Sequence, residues 1–323
     1  MSEQRVYAGI DIGGTNIKFG LFDGDGKVLI REQRPTMAEK GPMPLMHLIT
    51  NIAERLLYFA AEENYTVNWV GVGSPGAVDF KTGKVIGPSP NIVGWMGMEI
   101  GSIMKERLNM PVYVDNDVNS MALAEARFGA AMGARSVVCV TVGTGVGGGV
   151  IIDGQVVRGS SSSAGELGHM TIDIDGPKCA CGNYGCIESF CSSGAMMERI
   201  KIRLNNGLSP VFNELLDGSL DNLTVKKIFA AAKKGDQIAN EVIDETGTYL
   251  GVGLAGIVNL LNPQVVVIGG GITDGGAGFV EAVTTEIRKR AFSSAVEKLR
   301  VTRAALGNDA GFIGAGLLGE VNS

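Results

Sequence analysis

Two stretches of the chain repeat one pattern of apolar and polar positions. VYAGIDIGGTNIKFGLFDGDGKV (residues 6–28) and VVCVTVGTGVGGGVIIDGQVV (residues 137–157) each place apolar residues at a period of two on both sides of a Gly/Thr turn. That period specifies strands rather than helices. Each stretch runs on through an Asp-Gly turn toward a third strand, so Gly24 and Gly154 occupy matching hairpin turns. Helical stretches follow both, at residues 44–64 and 101–109 after the first and at 192–205 and 238–261 after the second. Short apolar runs at 69–72, 112–114 and 265–268 read as further strands. The pattern predicts an α/β protein of two β-β-β-α-β units facing each other across a cleft. The smaller domain is expected over residues 1–116 with a C-terminal helix at about 309–323, and the larger over 117–308.

Residues 249–272 carry no charge, and a membrane span needs about 20 such apolar residues. Asn259, Asn262, Pro263 and Gln264 interrupt the run, which therefore reads as a buried helix, a stop and a buried strand. The N-terminus, MSEQRVYAGIDIGG, lacks an apolar signal core, so a cytoplasmic protein is expected, with no membrane partner. A net charge of -6 with no Lys/Arg-rich run argues against binding phosphate backbones, so no nucleic-acid partner is expected.

The Gly/Thr turns carry the first chemistry. Gly13, Gly14, Thr15 and Asn16 let backbone approach a ligand and offer amides and hydroxyls to phosphate oxygens, as do Thr144, Gly145, Gly147 and Gly148 in the second copy. A lone turn of this kind is most simply a hairpin without a ligand, but two at equivalent places in a repeat favour a nucleotide. Gly143, Gly145 and Gly148 satisfy G-x-G-x-x-G, yet VIIDGQVV after them is another strand where a dinucleotide fold needs a helix, so NAD is excluded. The copies differ at Asp11, where the second has Thr141. A carboxylate beside triphosphate oxygens needs a cation between them, which makes Asp11 a candidate to orient Mg²⁺; the alternative is an acid bonded to turn amides.

VYVDNDVNSMALAEARFG (residues 112–129) reads as a buried strand entering an amphipathic helix that Gly129 ends, with Asp115, Asn116 and Asp117 at the junction. Either acid is explained by capping, although two acids and two Asn within five residues exceed what one cap needs. An Asp kept ionised by its helix suits acceptance of a hydroxyl proton in phosphoryl transfer better than a difficult proton abstraction.

KCACGNYGC crowds three of the five cysteines into one loop. Adjacent positions such as Cys179 and Cys181 pair poorly as a disulfide, and C-x-C-x4-C is not the redox spacing. Three thiolates lack one ligand for a closed tetrahedral zinc, and one of only two histidines, His169, lies ten residues upstream. Cys179, Cys181, Cys186 and His169 are therefore expected to hold a structural zinc, with Cys191 the substitute should His169 point elsewhere. Cys139 reads as a core strand residue and His47 takes no role. Glu166 and Glu188 bracket the loop; flanking a metal site, they and the second ring nitrogen of His169 are candidates to hold sugar hydroxyls.

Taken together, DIGGTNIK, GVGSPGAVD, DNDVNSMALAE, TVGTGVGGG, GELGHM, CACGNYGCIES and LLNPQVVVIGGGI closely resemble the repressor–open-reading-frame–kinase (ROK) family nearly end to end, and its bacterial glucokinases in particular. The resemblance implies two ribonuclease-H-like domains of the actin/hexokinase type closing on ATP and a hexose. It implies that Asp117 takes the proton of the sugar 6-hydroxyl, that Asn116, Glu166, His169 and Glu188 hold the sugar, and that Gly76 and Asn91 contribute. Gly269, Gly270 and Gly271 would lie under the adenosine, with Lys18 in the first phosphate turn, and a homodimer or homotetramer is expected. An N-acetylmannosamine or N-acetylglucosamine kinase is the alternative enzyme, followed by fructokinase. A sugar-responsive repressor of the same family carries a winged-helix segment before DIGGT, and the ten residues ahead of Asp11 leave none expected here. GSSSSA (residues 159–164) is more serine-rich than the family pattern.

Overall fold

The computed structural model describes residues 4–89, 92–205, 207–273 and 277–321. Contacts divide the chain into two units, one of Met1–Val137, Gly149–Gly165 and Ala305–Ser323, the other of Val138–Gly148 and Glu166–Ala304.

The first unit begins with β1 (Gln4–Ile12), β2 (Asn16–Asp23) and β3 (Val28–Pro35), an antiparallel meander. Helix α1 (Pro42–Glu62) follows, entered with Pro in its first turn, where the missing N–H has no helical partner to lose. Its Leu45, Met46, Ile49, Ala53, Leu56 and Ala60 recur at helical spacing and are buried. Strand β4 (Tyr65–Ser74) pairs parallel with β1 and leads into a small hairpin of β5 (Val78–Asp79) and β6 (Lys84–Val85). After α2 (Ile100–Leu108), β7 (Val112–Asn116) pairs parallel with β4 and passes directly into α3 (Asp117–Phe128). The sheet order is β3-β2-β1-β4-β7. The second half of β4 is wholly buried, as the inner strand of a parallel pair must be, while edge strand β3 alternates toward solvent.

The second copy supplies β8 (Val137–Val142), β9 (Val146–Ile152) and β10 (Gln155–Val156). Helices α4 (Ile187–Cys191), α5 (Ser193–Arg203), α6 (Pro210–Leu216), α7 (Val225–Lys233) and α8 (Gln237–Leu261) follow. Then come β11 (Val265–Gly269), α9 (Ala277–Arg290), α10 (Ser293–Val296) and β12 (Arg300–Arg303). The order β10-β9-β8-β11-β12 repeats that of the first sheet. The uncharged run divides as expected: α8 stops at Asn262, left-handed at φ 45, and after Pro263 the fully buried β11 begins. No helix among the described residues is long and apolar enough to cross a membrane.

Helices α6 and α7 were not expected, although Ser209 and Thr224 cap them with side-chain oxygens on Phe212 N–H and Lys227 N–H. The hairpin turns also differ. Asp153 and Gly154 both take positive φ, as a two-residue turn requires, whereas in the first copy Gly26, not Gly24, is left-handed. There the Asp23 carboxylate accepts from the amides of Asp25 and Lys27 and shapes a longer turn.

The chain returns to the first unit in α11 (Ala310–Leu317), a helix notched by its partners' glycines and its own. A methyl group on Gly9 of β1 or Gly71 of β4 would overlap the carbonyls of Phe312 and Ala315, and one on Gly314 would overlap the carbonyl of Ser120 in α3. This seating groups α3 with the first unit, where the sequence reading starts the second domain at Asp117.

Candidate active site

Three parallel strand ends build the first cluster. The register sets Asp11 of β1 opposite Gly73 of β4, and Gly73 opposite Asp115 of β7. A Cβ on Gly73 would lie 3.4 Å from Ser120 Oγ and 3.5 Å from both Asp11 Oδ1 and Asp117 Cα, ordinary contact distances, so the Asp11 carboxylate and the first residue of α3 border the same strand end. Carboxyl ends of parallel strands are where open α/β sheets bind ligands.

At the end of β7 the three polar residues divide the work. Asp115 is buried; its Oδ1 accepts from Asn116 N–H at 2.7 Å and from Asn119 Nδ2 at 3.0 Å, and its Oδ2 accepts from Arg158 Nε at 2.8 Å. Asn116 caps α3, its Oδ1 accepting from Val118 N–H at 2.8 Å and Asn119 N–H at 3.2 Å, while its Nδ2 donates to Gly76 O at 3.2 Å. The cap fixes which way the amide faces, so what Asn116 can still offer a ligand is its second Nδ2 hydrogen. Asp117 is half-buried on the first turn, with Oδ1 2.9 Å from Val118 N. A helix N-terminus favours its ionised form.

Asp11 is different. Burial pushes its carboxyl up to about 6, against the pull of Lys18 across the hairpin, and Gly311 of α11 packs directly on it. A nearby cation would reverse that shift, and the position fits a group that orients Mg²⁺. The turn after β1 is pinned from behind: Gly13 N–H donates to Asn16 O at 3.1 Å, and Thr36 Oγ donates to Gly13 O at 2.6 Å. Gly14 and Thr15 are left exposed, and Lys18 Nζ donates to Asn308 Oδ1 at 2.9 Å.

The second cluster lies within the other unit. The ligand atoms of His169, Cys179, Cys181 and Cys186 all fall within 4.8 Å of one another. Cys181 Sγ and Cys186 Sγ are 3.8 Å apart, and Cys179 Sγ lies 3.7 Å from His169 Nδ1. A tetrahedral zinc with sulfurs at about 2.3 Å would space them about 3.8 Å apart, so the donor set fits that ion. Gly182 and Gly185, at φ 95 and 65, turn the loop so that the thiols converge. Burial raises the Cys179 and Cys186 thiols above their ordinary range, so a metal would have to displace protons. Cys191 takes no part; it is buried, with Sγ 3.6 Å from Thr246 O. Cys139 is buried in β8.

Glu188 joins this loop to the second glycine turn. Its Oε2 accepts from Val146 N–H at 2.9 Å, its Oε1 lies 3.6 Å from Cys179 Sγ, and any side chain at Gly145 would strike it. Thr144 is exposed at the tip of that turn. Glu166 is also exposed, and its carboxyl is raised by partial burial and the nearby Glu188, with His169 pulling the other way. Gly270, at φ 91, sits on the backbone of Val142, and Ile272 N–H donates to Val142 O, so Gly269, Gly270 and Gly271 run beside the end of β8. Gly76 takes φ 84 in the loop after β4; Asn91 lies outside the described residues.

Two charged residues escaped the sequence reading. Arg158 holds Asp115 from 43 positions away, and nothing local marks it. Glu125, buried in α3, accepts from the amides of Ala130, Ala305 and Leu306 and anchors the returning chain; it sits in the DNDVNSMALAE motif but reads there as one more polar helix position.

The profile of the ROK family matches residues 7–320. A glucokinase of Thermotoga maritima is 34% identical over 310 residues, 95% of each chain. The crystal structure of a ROK glucokinase from Streptomyces griseus with glucose and AMPPNP is 34% identical, covers 97% of this chain and 98% of its own, and superposes with a TM-score of 0.83. A ROK transcriptional regulator, a homologue of the E. coli MLC protein, is 26% identical with a TM-score of 0.86; the match covers 98% of this chain and 78% of the regulator.

Proposed function

From the premise that this chain belongs to the ROK family and is an ATP-dependent sugar kinase, we propose that it phosphorylates glucose at the 6-hydroxyl. The supporting observation is the convergence at Gly73, beside which both the Asp11 carboxylate and the start of α3 at Asp117 lie.

In this reading Asp117 accepts the proton of the 6-hydroxyl as that oxygen attacks the γ-phosphate. The transition state is loose, so the base needs position and a free lone pair more than high basicity. Asn116 donates its remaining amide hydrogen to the sugar, beside Gly76; Glu166, Glu188 and Nε2 of His169 receive or donate to the other hydroxyls, and Asn91 is a further contact. His169 Nδ1 faces Cys179, which leaves Nε2 for this purpose. The turns at Gly13, Gly14, Thr15, Asn16 and Lys18, and at Thr144 and Gly145, cradle the phosphates, with Gly269, Gly270 and Gly271 under the adenosine. Mg²⁺ oriented by Asp11 would draw charge from the transferring group, and zinc on the three thiols and His169 would hold the sugar loop in shape.

The test is coupled-enzyme turnover of glucose, mannose, fructose and the N-acetylated hexosamines. Glucose is expected to lead by at least about tenfold in kcat/KM; a faster N-acetylated sugar would overturn glucose as the substrate. In Asp117→Ala, kcat is expected to fall about 10³-fold while calorimetric glucose affinity holds within about threefold. Substantial residual turnover would remove Asp117 from the role of base.

A further inference from the structure

The Asp115 carboxylate, at the strand-to-helix junction, is nearly withdrawn from solvent, with 2% of its side chain exposed. An unpaired charge there would be strongly destabilising. Its partner is Arg158, itself 16% exposed, whose Nε and Nη2 lie 2.8 and 2.7 Å from the same Oδ2. The guanidinium lies over the Phe80 ring, its Cζ 3.6 Å from the ring centroid, just beyond the β5 strand. The other oxygen of Asp115 holds Asn116 N–H and the Asn119 side chain, one on each side of Asp117.

Arg158 is also the hinge post of the serine-rich loop. Its carbonyl accepts from Ala164 N–H at 3.0 Å and closes residues 159–163 into a pinched loop, with Gly159 left-handed at φ 72. One residue thus ties the start of α3, through its side chain, to the base of the loop leading into Glu166, through its backbone.

We propose that Arg158 is a positioning residue for phosphoryl transfer: held over the Phe80 ring, it fixes the Asp115 carboxylate and so the angle at which Asn116 and Asp117 leave β7 for α3. The proposal rests on the reading of Asp117 as the base. A planar guanidinium held over a ring sets direction as well as charge, which lysine cannot reproduce. Displacement of a catalytic group by about 1 Å lowers turnover about 100-fold.

The experiment compares Arg158→Lys, Arg158→Met and the double variant Asp115→Asn/Arg158→Met, reading kcat, KM for glucose and ATP, and thermal midpoint. The double variant removes both charges together, so it folds even where Arg158→Met alone does not. Expected results are a kcat lowered about 10-fold in Arg158→Lys and about 100-fold in the double variant, with KM for ATP within about threefold and the thermal midpoint of the double variant near that of the parent. Recovery of parental kcat in the double variant, or parental kcat in Arg158→Lys, would show that the pair only balances charge and would overturn the proposal. Asp117→Ala, run alongside, separates the two readings: an inactive Asp117→Ala with fully active Arg158 variants sinks the positioning role alone, whereas an active Asp117→Ala sinks the base assignment and this inference with it.

Discussion

Asp11 and Asp117 both lie beside Gly73, and their surroundings separate their behaviour. Asp117 stands at a helix start, which favours charge; Asp11 is closed in by Gly311 and its carboxyl sits at about 6 in the free protein. Because the folded value lies above the unfolded one, the protonated form carries the stability: it is fully present below about pH 4 and lost as pH rises through about 6. Ionised at neutral pH without a cation, Asp11 therefore costs the fold about 1–3 kcal/mol. Asp11→Asn is expected to raise the thermal midpoint of the ligand-free protein at pH 7.5, with a gain that shrinks toward pH 4, and to abolish turnover. A midpoint difference that is flat across this range would contradict the burial of this charge.

At the scale of elements, α11 owes its place to missing side chains. Gly71→Ala is expected to destabilise by about 3 kcal/mol in urea unfolding, because the new methyl has only the rigid Ala315 carbonyl to displace. Gly24→Ala, with open space around it and an ordinary φ, is expected to stay within about 0.5 kcal/mol. Elements with strong local signals were legible: the two repeated meanders by their period of two, the α8 stop by Asn262-Pro263, the cysteine cluster by its spacing. Residues joined only through space were not. No pattern around Arg158 announces Asp115, β12 is four residues with exposed ends and no apolar run, and glycines seated on a distant helix look in sequence like any other turn former. In the sequence the cap of α3 falls to one of the flanking acids, whereas Asn116 supplies it, and its bond to Gly76 O depends on a loop 40 residues away.

For the whole molecule, the two copies share a strand order yet are stabilised differently. The first unit closes its cluster with backbone seating and a buried ion pair; the second depends on a loop of little regular structure whose Ile174 and Tyr184 are exposed. Such a loop opens at low free energy unless something ties it. Cys181→Ser is expected to lower bound zinc well below about one equivalent by elemental analysis and to speed amide exchange across residues 170–186, while β8 and β11 keep their protection. Unchanged metal content would count against the ligand set.

Glu188 makes one further demand on anyone altering this protein. Its carboxylate braces Val146 N–H on one side and borders Cys179 on the other, leaving no room beside Gly145. Redesign for a different substrate that replaces this acid also withdraws a strut from the neighbouring turn, so selectivity and scaffold integrity cannot be tuned independently at that position.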